Sequence, residues 1–158
     1  MHLENALEKA AELRDILAEE VENARGERLL LRRLDAAGLF ERATRRAAFL
    51  EGVANVEREL ATALSRAAGT LGIHQVTLDR LRERAPREAE ILTQTLSDVR
   101  SLAGSLREID RLNLQLANRA LACVRGYVEA LNPSPRAYDR RGARVSSSPV
   151  LASVAVKG

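Results

Sequence analysis

Few residues of this chain have the type and spacing that redox chemistry or metal binding requires. The single cysteine, Cys123, has no partner for a disulfide within the chain. Its position in a helical stretch favours a small apolar residue over a reactive thiol, which needs an electropositive, accessible setting. The two histidines, His2 and His74, are far apart and have no neighbouring ligand motif. We therefore expect no metal site.

The carboxylates and hydroxyls do not form a catalytic arrangement either. Glu19 and Glu20 are adjacent, so a helix points them in different directions, which makes them a poor acid/base pair. The other acids of the first helix fit a solvated face with partners four residues away. The serines at 146–148 have no histidine beside them. We therefore expect no enzyme and no cofactor.

The composition predicts long helices in a narrow bundle. Aromatic residues make up 3% of the 158 residues and tryptophan is absent, whereas alanine, leucine, glutamate and arginine are abundant. The expected fold is all-α, an elongated antiparallel helical hairpin or bundle of three to four helices, over residues 1–132. No segment has the length and apolarity of a membrane span or the layout of a secretory signal. These features favour a cytoplasmic protein.

The first half of the chain predicts two helices separated near Gly38. Apolar residues at spacings of three and four predict the first from Leu3 to about Ala37 and the second from about Leu39 to Ala68. Gly38 could be a turn or a kink, and a hairpin is favoured because both stripes need a partner. The second stripe comprises Phe40, Ala43, Ala47, Leu50, Val53, Leu60, Leu64 and Ala67. The basic cluster at 42–46 is interpreted as helix surface rather than a binding patch.

Local signals mark the second half. Thr77 can cap a short helix from Leu78 to about Ala85, and Pro86 suits the first turn of the next helix. That last helix is predicted over about 87–131. Its apolar stripe comprises Leu92, Leu96, Val99, Leu102, Leu106, Ile109, Leu112, Leu116, Ala120, Val124, Tyr127 and Leu131.

The end of the chain has a different composition. Residues 133–158 contain three prolines and few large side chains, which predicts a disordered basic tail. This tail has a net charge of +4, and residues 1–132 have a net charge of −1 with interleaved signs. The body therefore lacks the basic face of a nucleic-acid-binding domain.

The C-terminal third contains several features in a fixed order along the chain. They are Leu112-Asn113 in a long terminal helix, the leucine-rich turns from Leu121 to Leu131, the break at Pro133 and Pro135, Tyr138 with Gly142 four residues on, and the short end Ser153-Val154-Ala155-Val156-Lys157. In this combination the chain resembles the FlgN family of flagellar export chaperones. Asn118 follows Asn113 at a wider spacing than the family usually shows.

The resemblance implies a cytoplasmic chaperone that binds the hook–filament junction proteins FlgK and FlgL and delivers them to the export gate protein FlhA. It implies an apolar helix face that accepts an amphipathic client helix. The expected client-binding residues are Leu121, Val124, Val128 and Leu131, and the expected gate-docking residues are Tyr138 and Gly142. The same four apolar residues could instead continue the bundle seam, and both a monomer and a dimer fit the pattern.

One function of another class fits the residues as well. A generic coiled-coil scaffold could use its basic tail to contact nucleic acid or an acidic membrane. Phosphate binding weakens steeply with salt, whereas an apolar client groove does not depend on salt in this way. The resemblance favours the chaperone, with neither nucleic acid nor membrane insertion as a partner.

Overall fold

A computed structural model describes residues 2–73 and 77–131 of the chain. It contains four helices: α1 (His2–Arg33), α2 (Ala36–Leu71), α3 (Leu78–Arg84) and α4 (Pro86–Leu131). Helices make up 95% of these residues, and no strand occurs among them. The predicted all-α fold with three to four helices is confirmed. The predicted tail, residues 133–158, lies outside the described residues.

A tight turn at Leu34 and Asp35 joins α1 to α2. Leu34 adopts a positive φ of 54°, which reverses the chain after Arg33. The Asp35 side chain then caps α2 by accepting a hydrogen bond from the Gly38 backbone N–H at 3.0 Å. The predicted hairpin is present, but its turn precedes Gly38. Gly38 lies in the first turn of α2, where a Cβ atom would come within 2.7 Å of an Asp35 carboxylate oxygen.

The other helix boundaries follow from local chemistry. Gly72 ends α2 with a left-handed φ of 67°, and its N–H reaches the carbonyl groups of Ala68 and Gly69. The Thr77 hydroxyl accepts a hydrogen bond from the Arg80 N–H at 3.3 Å and caps α3, as predicted. Pro86 starts α4, also as predicted.

Side-chain contacts give the directions of the three long helices within residues 1–120. Lys9 of α1 pairs with Glu59 of α2, and Glu20 further along α1 pairs with Arg42, nearer the start of α2. The order is reversed, so α1 and α2 are antiparallel. Helix α4 follows the direction of α1. Asp110 shares Arg46 with Glu20, and Asn113, further along α4, contacts Ala24, further along α1.

The buried side chains of each long helix repeat at alternating spacings of three and four, the pattern of a coiled-coil seam. In α1 this seam contains Ala6, Ala10, Leu13, Leu17, Glu20, Ala24 and Leu31, in α2 Arg42, Val56, Leu60, Ala63 and Ala67, and in α4 Leu92, Thr95, Leu106, Ile109 and Asn113. Thirteen of these 17 side chains are apolar, and the charged and amide ones, Glu20, Arg42 and Asn113, lie in the part nearer the α1–α2 turn.

The part of the seam nearer the α1–α2 turn corrects several sequence interpretations. Arg42, assigned to the surface, is buried, whereas Phe40 and Leu50 of the predicted stripe are 76% and 57% exposed. Leu34, which lay within the predicted first helix, is exposed in the turn, and Asn113 takes the seam position next to the exposed Leu112. Prediction from hydrophobicity assigns only apolar residues to buried positions. It therefore misses buried charged residues that pair with one another.

The chain divides into two compact units, residues Met1–Ala120 and Leu121–Gly158. The first contains the three-helix packing described above and the short helix α3. Of the second, residues 121–131 are described, and they are helical.

Candidate protein-interaction site

The last three turns of α4 are apolar and exposed. Every residue from 121 to 131 is exposed. These 11 positions contain five of the 12 large apolar side chains that are exposed in the described part of the chain. They are Leu121, Val124, Tyr127, Val128 and Leu131. Clustered exposed apolar residues mark interaction sites more often than scattered ones do.

Four of these residues share one side of the helix. The spacings of three, four and three residues from Leu121 through Val124 and Val128 to Leu131 keep them within a narrow arc. Their exposed fractions are 54%, 41%, 58% and 84%. None of the four is buried, unlike the seam residues of the first unit. We call it the apolar face, residues 121, 124, 127, 128 and 131.

Tyr127 adds a fifth member that the sequence had placed in the bundle seam. It lies three residues after Val124 and four before Leu131, at the edge of the same face, and it is 67% exposed. Aromatic side chains with a polar end are enriched in binding hot spots. The signal for Tyr127 was its helical spacing, which fits the seam and the exposed face equally well.

The charges around the apolar face balance. Residues 121–131 contain one arginine, Arg125, and one glutamate, Glu129, and both are exposed. Cys123, a free thiol, is also exposed. The face therefore offers apolar area without a net charge, which suits an amphipathic helix and not a phosphate backbone.

Tyr138 and Gly142, the residues expected to dock to an export gate, lie outside the described residues. Pro133 and Pro135 lie there as well. Asn113 and Asn118, whose roles the sequence left open, differ in setting. Asn113 is 3% exposed, and Asn118 is on the surface.

Asn113 joins α4 to α1 through its side-chain amide. Its Nδ2 donates to the backbone carbonyl of Ala24 at 2.7 Å, and its Oδ1 accepts from Arg28 Nε at 3.2 Å. Ala24 is fully buried, and its small side chain allows the amide to reach the α1 backbone. Asn113 is therefore a packing residue of the bundle.

A second polar contact joins all three long helices. Glu20 of α1 accepts hydrogen bonds from Arg42 and from Arg46 of α2, the latter at 2.7 Å. Arg46 also donates to Asp110 of α4 through both of its terminal nitrogens, one of them at 3.1 Å. We call these four residues, Glu20, Arg42, Arg46 and Asp110, the charged layer. Glu20 and Arg42 are 3% and 4% exposed.

The charged layer favours the ionised form of Arg46. Burial alone would lower the pKa of Arg46, but the hydrogen bonds and charges of Asp110 and Glu20 outweigh it and raise the pKa. Arg42 Nε has no hydrogen bond, although it lies 3.3 Å from a carboxylate oxygen of Glu27. The layer contains paired ions and no nucleophile, so its arrangement is structural.

These observations define a class of protein: a helical bundle that ends in an exposed apolar helix face. Comparison with protein families then assigns the chain. The FlgN model, described as FlgN protein, matches residues 1–146. The chain belongs to the FlgN family, and the resemblance stated above is confirmed. Comparison with curated proteins and with solved structures found no match.

Two further observations concern membranes and metals. Within residues 2–73 and 77–131, none of the helices combines the length and the apolarity that crossing a membrane requires. In the same part of the chain, no group of three or more histidine, cysteine or acidic side chains could hold a metal ion.

Proposed function

We propose that this chain is a flagellar export chaperone that binds FlgK and FlgL in the cytoplasm, prevents their premature assembly and delivers them to the export gate. Membership in the FlgN family supports a flagellar export chaperone. The observation that carries the proposal is the apolar face at the end of α4, which is exposed in the chain by itself.

The physical basis is helix pairing. Each apolar side chain that a client helix covers contributes roughly 1.5–3 kcal/mol before the cost of ordering. A client segment that folds on binding costs about 2–5 kcal/mol. Five side chains of the apolar face are therefore enough for a specific complex.

Salt dependence distinguishes this function from the scaffold alternative. We expect the chain to bind FlgK and FlgL with a dissociation constant that changes less than about threefold between roughly 0.1 and 0.5 M salt, because the face has no net charge. Isothermal titration at the two salt concentrations measures this. If the +4 tail dominated, binding would weaken steeply with salt, as it does for phosphate ligands.

Docking to FlhA is proposed for Tyr138 and Gly142. A single aromatic residue among polar and basic neighbours can anchor a short segment in a pocket. Tyr138→Ala in the client-loaded chaperone should weaken binding to the FlhA cytoplasmic domain by tenfold or more and leave client affinity within about twofold. Fluorescence anisotropy with both partners measures the two affinities.

Two control variants make this test specific. Tyr138→Phe retains binding if the pocket is apolar and loses it if the hydroxyl is recognised. Arg136→Gln with Arg140→Gln tests whether charge alone attracts the gate. Unchanged gate affinity in Tyr138→Ala, together with a loss in the arginine variant, would discard the anchor.

A further inference from the structure

The first half of α2 contains two stripes with the spacing of a helix seam. The inner stripe faces α1 and α4 and contains Arg42, Arg46, Phe49, Val53 and Val56. The outer stripe is exposed and contains Phe40, Ala43, Ala47, Leu50 and Ala54. At about 100° per residue the centres of the two stripes are roughly 120° apart.

Burial of apolar area alone would favour the outer stripe in these turns. Before Phe49, the inner positions that contact α1 are two arginines, and the outer positions are one phenylalanine and two alanines. A rotation of residues 40–50 by roughly 120° would bury Phe40 and Leu50 and expose both arginines together with Phe49.

We propose that the charged layer fixes the rotation of α2 and thereby keeps the outer stripe on the surface. Glu20 is buried on α1, and both of its oxygens are paired only when Arg42 and Arg46 face inward. In the rotated arrangement Glu20 would be a buried charge without a partner, which is strongly disfavoured. Asp110 adds the contribution of α4, because its carboxylate holds Arg46 from the other side.

Three members of the layer therefore exclude the rotated arrangement, each for a different reason. Glu20 would lose both cations, Asp110 would lose Arg46, and Arg46 would also leave the Phe49 ring, whose centre lies 5.6 Å from the guanidinium carbon. Polar residues at seam positions are known to select one packing arrangement at a cost in stability.

The test traps the rotated arrangement with a disulfide. In a Cys123→Ser background, Ala24→Cys and Ala43→Cys place one thiol in the α1 seam and one on the outer stripe. The two can meet only when α2 turns its outer stripe inward. Disulfide formation is compared between the native charged layer and an apolar layer made by Glu20→Leu, Arg42→Leu, Arg46→Met and Asp110→Leu.

We expect the apolar layer to remain helical and to form the disulfide at least tenfold faster than the native layer. Adding Phe40→Gln and Leu50→Gln to the apolar layer should return the rate to the native level, because the competing stripe is then removed. An unchanged rate in the folded apolar-layer variant would overturn the proposal. The proposal would also be overturned if the apolar-layer variant formed the disulfide fast and the two glutamine substitutions did not slow it. That result would indicate that helix packing is loosened in general. Loss of helical circular dichroism in the apolar-layer variant would overturn it as well, because the layer would then supply stability and not selection.

Discussion

Replacing Glu20 with leucine is expected to lower the free energy of unfolding by about 3–5 kcal/mol. The substitution leaves Arg42 buried with no hydrogen-bonded carboxylate and removes one of the two acids that hold Arg46. Because small domains are stable by only about 5–15 kcal/mol, the loss is a large fraction of the total. Urea unfolding followed by far-UV circular dichroism measures it.

Glu19→Leu is the matched control for this substitution. Glu19 is the neighbouring residue in the same helix and has the same side chain, but it is exposed. Its replacement should change the free energy of unfolding by no more than about 0.5 kcal/mol. Equal effects of the two variants would show that the burial of Glu20 has no energetic consequence.

The second large effect is expected at the apolar face. Leu121→Ser with Val128→Ser should weaken client binding at least about a hundredfold, since two buried side chains of roughly 1.5–3 kcal/mol each are lost and 1.4 kcal/mol is a factor of ten. The bundle should keep its helical signal, because both residues are exposed in the free chain. Titration with FlgK and FlgL measures the affinity.

Leu29→Ser with Leu50→Ser controls for the general loss of exposed apolar area. These two leucines are 54% and 57% exposed, which matches Leu121 at 54% and Val128 at 58%. Client affinity should stay within about twofold in this control. If both double variants bind equally well, clients use another surface.

The helix boundaries could be predicted because they depend on neighbours in the chain. The hydroxyl of Thr77 and the missing N–H of Pro86 act within one turn, so the sequence is sufficient to place the starts of α3 and α4. The α1–α2 turn was predicted at Gly38 because glycine usually marks a turn. In the structure Leu34 takes the left-handed conformation, and Gly38 is needed for its close contact with Asp35.

The inner side of α2 could not be predicted from hydrophobicity. Arg42 and Arg46 occupy seam positions because Glu20 and Asp110, on two other helices, neutralise them. The apolar pattern of one helix does not show such pairing between helices. The sequence did contain one indication that Glu20 is buried, because Glu20 shares the three-and-four spacing of Leu17 and Ala24.

Prediction from sequence has the same limit at the apolar face. The spacing of Leu121, Val124, Val128 and Leu131 suits a buried seam and an exposed binding face equally, and only the positions of other helices decide between them. All four residues are exposed in the structure, unlike the seam residues of the first unit. Their role in client binding remains a proposal.

Hydrogen exchange of the chain with and without FlgK tests the central claim most directly. The proposal predicts that client binding slows amide exchange strongly within residues 121–131, where the side chains are exposed in the free chain, and changes exchange in residues 36–71 much less. Protection concentrated in α2, with unchanged exchange at 121–131, would contradict the assignment of the apolar face to the client.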